Sequence, residues 1–181
     1  MDNSIRSHFD NLLSKDKQTQ NQAYYALMDI TEEPVDWAYV VWDDLVGWLS
    51  HKDNHLRSIS SQLLSNLAKS DPENRMQKDF PALLAVSRDE KFVTARHCLQ
   101  HIWKVGLAGE SQRTMLMEGL EQRYHECVSE KNTTLIRFDI IQDMRNLYDV
   151  VSDDSIKEKA LALIELEDDT KYRKKYAKVW K

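Results

Sequence analysis

Two pairs of histidines are spaced four residues apart, the spacing that lets two side chains on one helix face hold a single metal ion. The pairs are His51 with His55 and His97 with His101, and Cys98 lies beside the second pair. Zinc binds imidazole nitrogen and thiolate sulfur, so these residue types could form a zinc site. However, His51 and His55 straddle a predicted turn, and on a helix Cys98 would point about 100° away from His97. We therefore predict no metal and no cofactor.

The sequence offers few residues for nucleophilic or cofactor chemistry. Cys127 could be a nucleophile with His125 as its base, but residues two apart point to different sides of a helix. The chain has no glycine-rich phosphate loop, no GxSxG and no HExxH, and it holds only 4 glycines. We predict no catalytic residue, and whether the chain is an enzyme stays open.

The scarcity of chain-breaking residues indicates a mostly helical protein. Only 4 Gly and 3 Pro occur in 181 residues, too few for the turns of a sandwich or barrel. The length fits one domain, residues 1–181. The 2 cysteines have no CxxC spacing, and no long apolar segment occurs, so we expect a cytoplasmic protein without a membrane span.

Caps and breakers divide the chain into about ten helices. Thr31 followed by Pro34 is typical of a helix start, so the third helix is expected to begin there. Ser111 is the expected cap of the seventh helix. Ser155 with Glu158 has the spacing of a capping box for the ninth.

An internal repeat arranges these helices into pairs, each with a first helix (A) and a second helix (B). An apolar residue directly precedes an arginine near the start of four B helices, and Gln20 takes the place of the arginine in the first. The reference positions Gln20, Arg57, Arg96, Arg137 and Arg173 are 37, 39, 41 and 36 residues apart. Residues three, seven and ten further on are mostly small or apolar, and they share one helix face. The alternative is an unrelated helical bundle whose helices align by chance.

These repeats resemble the HEAT-repeat family of α-solenoids. The resemblance rests on Asp53 followed by Leu56-Arg57, and on Asp89 followed by Ala95-Arg96 with Pro81 in the preceding helix. It implies an all-α superhelix of about five HEAT-like helix pairs, with the B helices on the concave side. It also implies that turn aspartates and B-helix arginines bridge neighbouring repeats.

The resemblance is weaker in the first, fourth and fifth repeats, and the fifth is truncated and more aromatic. Gln20 replaces the arginine of the first repeat, no clear turn aspartate precedes Arg137, and Asp143 falls at an otherwise apolar position. The turn aspartates, together with the B-helix arginines, are interpreted as structural caps and ion pairs. These aspartates are Asp16, Asp53, Asp89 and Asp169.

The repeat frame also predicts which side chains face the concave groove. Positions one, five and eight after each reference lie away from the apolar stripe, and none of these 15 residues is acidic. The last 11 residues hold six basic groups and no acid, although the whole chain carries a net charge of −5. We therefore expect a groove that attracts anions. The predicted partner-binding residues are Tyr25, Ser58, Gln62, His97, His101, Lys104, Phe138, Gln142, Arg145, Lys174 and Lys178.

Two functions fit this pattern. The first is a protein-interaction scaffold that binds an acidic or amphipathic protein segment on the concave face. The alternative is a protein that binds the nucleic-acid backbone, because a basic groove with aromatic residues also suits phosphates. The alkylpurine DNA glycosylases are similar in repeat layout, and Trp103, Asp139, Asp143 and Arg145 invite that comparison. The partner's identity and the oligomeric state stay open.

Overall fold

The computed structural model describes residues 1–181, which form ten α-helices and no strand, with 78% of the residues helical. The predicted all-α fold of about ten helices is confirmed. The helices are α1 (Asn3–Leu12), α2 (Lys17–Ile30), α3 (Ala38–Trp48), α4 (Asn54–Leu67), α5 (Met76–Ala85), α6 (Phe92–Ile102), α7 (Glu110–Glu126), α8 (Thr133–Val151), α9 (Asp154–Glu165) and α10 (Thr170–Val179). None of them is long and apolar enough to cross a membrane.

Aspartate side chains cap several of the helix N-termini. The carboxylates of Asp16, Asp53 and Asp169 accept hydrogen bonds from backbone N–H groups in the first turns of α2, α4 and α10. Such caps satisfy N–H groups that have no partner inside the helix. The capping role predicted for these three aspartates is confirmed.

Three predicted helix starts are displaced. The third helix begins at Ala38 rather than after Thr31, because the Thr31 hydroxyl turns back and donates to the Leu27 carbonyl at 2.7 Å. Helix α7 begins at Glu110, one residue before the expected cap Ser111. Helix α9 is capped by Asp153, whose carboxylate accepts from the backbone N–H of Ser155 at 3.0 Å.

The chain forms two compact units, Met1–Cys98 and Leu99–Lys181. In the first unit, α1 packs on α2, α3 packs on α4, and the second helices of these two pairs pack on each other. In the second unit, α8 contacts α7, α9 and α10, and α7 also contacts α9. Within each unit, helix pairs therefore stack on their neighbours and bury their apolar stripes. The single domain over residues 1–181 stays a prediction.

Ion pairs link helix-pair turns to neighbouring B helices. In the first unit, Arg57 of α4 holds Asp89 through two bonds, from Nε to Oδ2 at 2.5 Å and from the second guanidinium nitrogen to Oδ1 at 2.9 Å. This is an aspartate–arginine bridge of the predicted kind. In the second unit, Arg137 of α8 pairs with Glu167 at 3.0 Å, so a glutamate replaces the turn aspartate there.

Candidate functional site

The predicted partner-binding residues are divided between the two units. Tyr25, Ser58, Gln62 and His97 belong to the first unit, and the other seven belong to the second. Tyr25 of α2 is 69% exposed, and His97 of α6 is also exposed. His101 and Lys104 are half-buried.

Ser58 and Gln62 do not face solvent, and the exposure predicted for them is wrong. They are 7% and 3% exposed. Every residue of α4 from Ser58 to Leu67 is buried, so this helix is covered on all sides. Small serines allow neighbouring helices to approach it, and their hydroxyls donate to carbonyls of α4 itself, as Ser65 does to Ser61 at 2.7 Å. A helix buried all round has no groove face.

Ser58 and Gln62 instead join three helices of the first unit through a chain of hydrogen bonds. The Tyr24 hydroxyl of α2 donates to Gln62 Oε1 at 2.7 Å, and Gln62 Nε2 donates to Ser58 Oγ at 3.1 Å. Ser58 Oγ lies 2.9 Å from His97 Nδ1 of α6. Burial, with smaller contributions from Arg96 and His55, lowers the pKa of His97. A neutral His97 can accept the Ser58 hydroxyl at Nδ1, which completes the chain.

The second unit brings basic and aromatic side chains of α8 and α10 together. We call this surface the basic face, and it consists of Phe138, Gln142, Arg145, Lys174, Lys175 and Lys178. Its three lysines are exposed, whereas its three α8 residues are half-buried. Among the α10 lysines, Lys175 contacts Phe138, and the grouping of Phe138, Gln142 and Arg145 with Lys174 and Lys178 stays a prediction.

Two cations of the basic face lie over aromatic rings. Lys175 Nζ lies 4.5 Å from the centre of the Phe138 ring, and the Arg145 guanidinium lies 5.5 Å from the Trp180 ring. Arg145 also donates to the Val179 carbonyl at 3.4 Å, which ties α8 to α10. Cations over rings keep their charge while their stems cover apolar surface. Asp149 is the acid beside this face, and it pairs with Arg145 at 2.7 Å.

Lys175 of the basic face, and the buried Trp180 that supports Arg145, were not among the predicted contact residues. The repeat frame assigned only positions one, five and eight after Arg173 to the groove, and Lys175 is at position two. Its signal was nevertheless present, because the acid-free run of lysines from Lys171 to Lys181 covers more than one side of α10.

The cysteines and histidines do not form a metal site. Cys98 and Cys127 are buried free thiols. No group of three or more His, Cys, Asp or Glu side chains is arranged to hold a metal ion.

The two carboxylates that invite comparison with DNA glycosylases are both buried. Asp139 and Asp143 lie one turn apart in α8 and are 2% and 1% exposed. Neither oxygen of Asp143 has a hydrogen-bond partner. Burial, followed by the negative charge of Asp139, raises the pKa of Asp143 well above its ordinary value. Neither group is presented to solvent, where a substrate base would have to reach it.

Replacing Asp143 with leucine should raise the free energy of unfolding at neutral pH by about 2 kcal/mol, because it removes a buried polar group without partners. The native pKa lies above the ordinary value of 3.8, so the wild type loses stability as the pH rises from 3.8 through the native pKa. The advantage of the leucine variant should grow across that interval. Urea denaturation at a series of pH values measures both effects.

Asp143→Asn is the matched control for this prediction. The amide cannot ionise, so this variant should lose the pH dependence while keeping a buried polar group without partners. A leucine variant less stable than the wild type at neutral pH would contradict the prediction.

Comparison with known proteins gives no family. No protein-family model and no curated protein matches the chain. Two solved structures, both described as engineered proteins, are similar at 14% identity and a TM-score of 0.49. The match covers 90% of this chain and 47% of the first, so the chain spans about half the length of that protein. The match to the second structure covers 98% of this chain and 95% of that protein.

Proposed function

We propose that this chain is a HEAT-like protein-interaction module that binds an acidic segment of a partner protein on the basic face of its second unit. The observation that carries the proposal is the basic face itself. Lys175 lies over the ring of the half-buried Phe138, and Arg145, Lys174 and Lys178 add three more positive charges on the same two helices, in a chain whose net charge is −5.

The chemistry of the basic face favours an acidic and partly apolar ligand. Exposed lysines attract carboxylates and accelerate encounter with an acidic partner. Phe138 and the aliphatic stems of the lysines add apolar surface that a leucine or an aromatic side chain can cover. A segment that alternates carboxylates with apolar residues satisfies both parts.

The remaining predicted contact residues extend this proposal. Tyr25 and His97 are exposed, and His101 and Lys104 are partly accessible, so they stay candidates for partner contact. Ser58 and Gln62 are left out because they are buried. Both cysteines are free thiols, which fits the reducing conditions of the cytoplasm, where we propose that the protein acts.

Nucleic acid is the second candidate ligand, because lysines beside aromatic rings also suit a phosphate backbone. A base-excision activity has less support, since the carboxylates of Asp139 and Asp143 are buried. The two ligands differ in how strongly salt affects them, because nucleic-acid binding releases condensed counterions.

Fluorescence anisotropy with two labelled probes separates these functions. The first probe is a peptide of about 12 residues that alternates glutamate and leucine, and the second is a single-stranded DNA of about 12 nucleotides. We expect the peptide to bind at about 0.15 M salt and the DNA to bind only at much lower salt. Tighter binding of the DNA than of the peptide at about 0.15 M salt would favour the second candidate.

A further inference from the structure

A small pocket in the first unit lies between α1 and α3. Its volume is about 100 Å³. Its floor is apolar, formed by the buried side chains of Phe9, Val41 and Leu45, and the half-buried indole of Trp48 also lines it. Since one water occupies about 30 Å³ of liquid, this space holds about three waters or a single unbranched side chain.

Acidic side chains stand at the mouth of the pocket. Asp10 and Asp44 also line it, and both are exposed. Neither carboxylate forms an ion pair or a side-chain hydrogen bond within the chain. Beside them Leu13, which is apolar, is 57% exposed.

This combination fits a lysine side chain. The four-carbon stem of lysine packs on apolar surface while its ammonium group stays in water at the edge. Here the ammonium would lie at Asp10 and Asp44, and Trp48 could contribute a cation–π contact. A purely apolar side chain would leave both carboxylates without a counter-charge.

The chain itself carries a matching set of lysines. Residues 1–50 hold nine acidic and three basic residues, a balance of −6, whereas residues 171–181 hold six basic residues and no acid. In α10, Lys174 and Lys178 are exposed. Opposite charge at the two ends of one sequence favours contact between the front of one copy and the end of another.

We propose that the α1–α3 pocket binds a lysine of α10 from a second copy of this chain, so that copies associate head to tail. Such a contact joins two different surfaces. In a pair, one copy therefore keeps a free pocket and the other a free α10, and further copies can bind at both ends. The α1–α3 pocket is separate from the basic face that carries the proposed function. Both use α10, however, so an acidic partner should compete with self-association.

Sedimentation equilibrium tests this inference with the full chain. At about 50 mM salt the weight-average mass should rise with protein concentration above the 21.3 kDa of one chain, and at about 500 mM salt it should fall back. The variants Asp10→Lys/Asp44→Lys and Lys174→Glu/Lys178→Glu should each associate at least tenfold more weakly. All four positions are exposed, so these substitutions should leave the fold intact.

Mixing the two variants provides the sharpest outcome. One keeps a working α10 and the other a working pocket, so the mixture should form a pair of two chains and no larger species. A single chain with all four substitutions exchanges the charges and should associate again. The proposal would be overturned if the wild type stayed monomeric at all concentrations. It would also be overturned if the chain with all four substitutions failed to associate.

The same variants separate this inference from the proposed function. Asp10→Lys/Asp44→Lys leaves the basic face untouched, so it should still bind the acidic peptide with wild-type affinity. Loss of self-association with intact peptide binding supports the pocket. A simultaneous loss of both would show that this variant acts on more than the pocket and would overturn the assignment.

Discussion

Replacing Arg57 with methionine should lower the free energy of unfolding by about 3 kcal/mol, because it leaves a buried carboxylate without its counter-charge. Asp89, the partner of Arg57, has a side chain that is only 4% exposed. Arg57 also donates to the His51 carbonyl at 2.7 Å, a bond that methionine cannot replace. The stem of methionine fills similar space, so the loss reports the charge and not a cavity.

The contribution of Asp89 to the pH dependence of stability should change sign in the same variant. In the wild type, burial would raise the pKa of Asp89, but hydrogen bonds from Arg57 and the Lys91 backbone outweigh it and hold the pKa below 3.8. Asp89 therefore stabilises the fold above pH 3.8, and this is lost as the pH falls through the native pKa. Without Arg57, burial dominates, the native pKa rises, and stability should decrease as the pH rises above 3.8.

Urea denaturation of a double-mutant cycle measures this interaction. Arg57→Met/Asp89→Leu removes both charges and should recover part of the stability lost in Arg57→Met. The recovery should be incomplete because Asp89 also accepts the Lys91 backbone N–H at 2.8 Å. A single variant within about 0.5 kcal/mol of the wild type, or strictly additive losses, would contradict this account of the bridge.

Reversing the charge of Lys174, Lys175 and Lys178 should weaken binding of the acidic peptide by about thirtyfold. Each exposed ion pair contributes up to about 1 kcal/mol, so three together contribute about 2 kcal/mol, which corresponds to that factor. All three lysines are exposed, so glutamates at these positions should not unfold α10. Fluorescence anisotropy with the alternating glutamate–leucine peptide measures the change.

The matched control carries the same three lysine-to-glutamate changes on other surfaces. Lys52, Lys78 and Lys157 are exposed and lie outside the basic face. This control changes the net charge of the chain by the same amount, so it should lower the affinity only slightly through long-range repulsion. Equal losses in both variants would mean that the peptide senses net charge and not the basic face.

The repeat frame predicted the features that are fixed by local chemistry. Asp16, Asp53 and Asp169 cap helices because a short carboxylate before a helix start satisfies backbone N–H groups in any fold. The Arg57–Asp89 bridge was also predictable, because the HEAT-like pattern places a B-helix arginine close to the turn aspartate of the next repeat.

The frame failed where burial depends on several helices at once. Ser58 and Gln62 look like solvent-facing positions because they are polar and lie opposite the apolar stripe. They can be buried because hydrogen bonds satisfy their polar atoms. These bonds run from Tyr24 through Gln62 and Ser58 to His97. Polarity alone does not reveal such a partner before the neighbouring helices are placed.

Departures from the repeat pattern were informative in a different way. Asp143 interrupts the apolar positions of α8, and it is buried without a partner. The sequence identified the conflict, but only the packing of α8 shows that water does not reach the carboxylate. In the fourth repeat no turn aspartate was visible, and Glu130 of that turn pairs instead with the buried Arg123 of α7 at 2.6 Å.

The basic face should capture an acidic segment of a partner protein. Affinity capture from a native lysate tests this most directly. The parallel baits are the wild type and the Lys174→Glu/Lys175→Glu/Lys178→Glu variant, and a sample of each is also treated with nuclease. We predict that quantitative mass spectrometry finds proteins with acidic segments on the wild type, that nuclease leaves them bound, and that the variant loses them. Identical protein sets on both baits, or capture that nuclease abolishes, would contradict the claim.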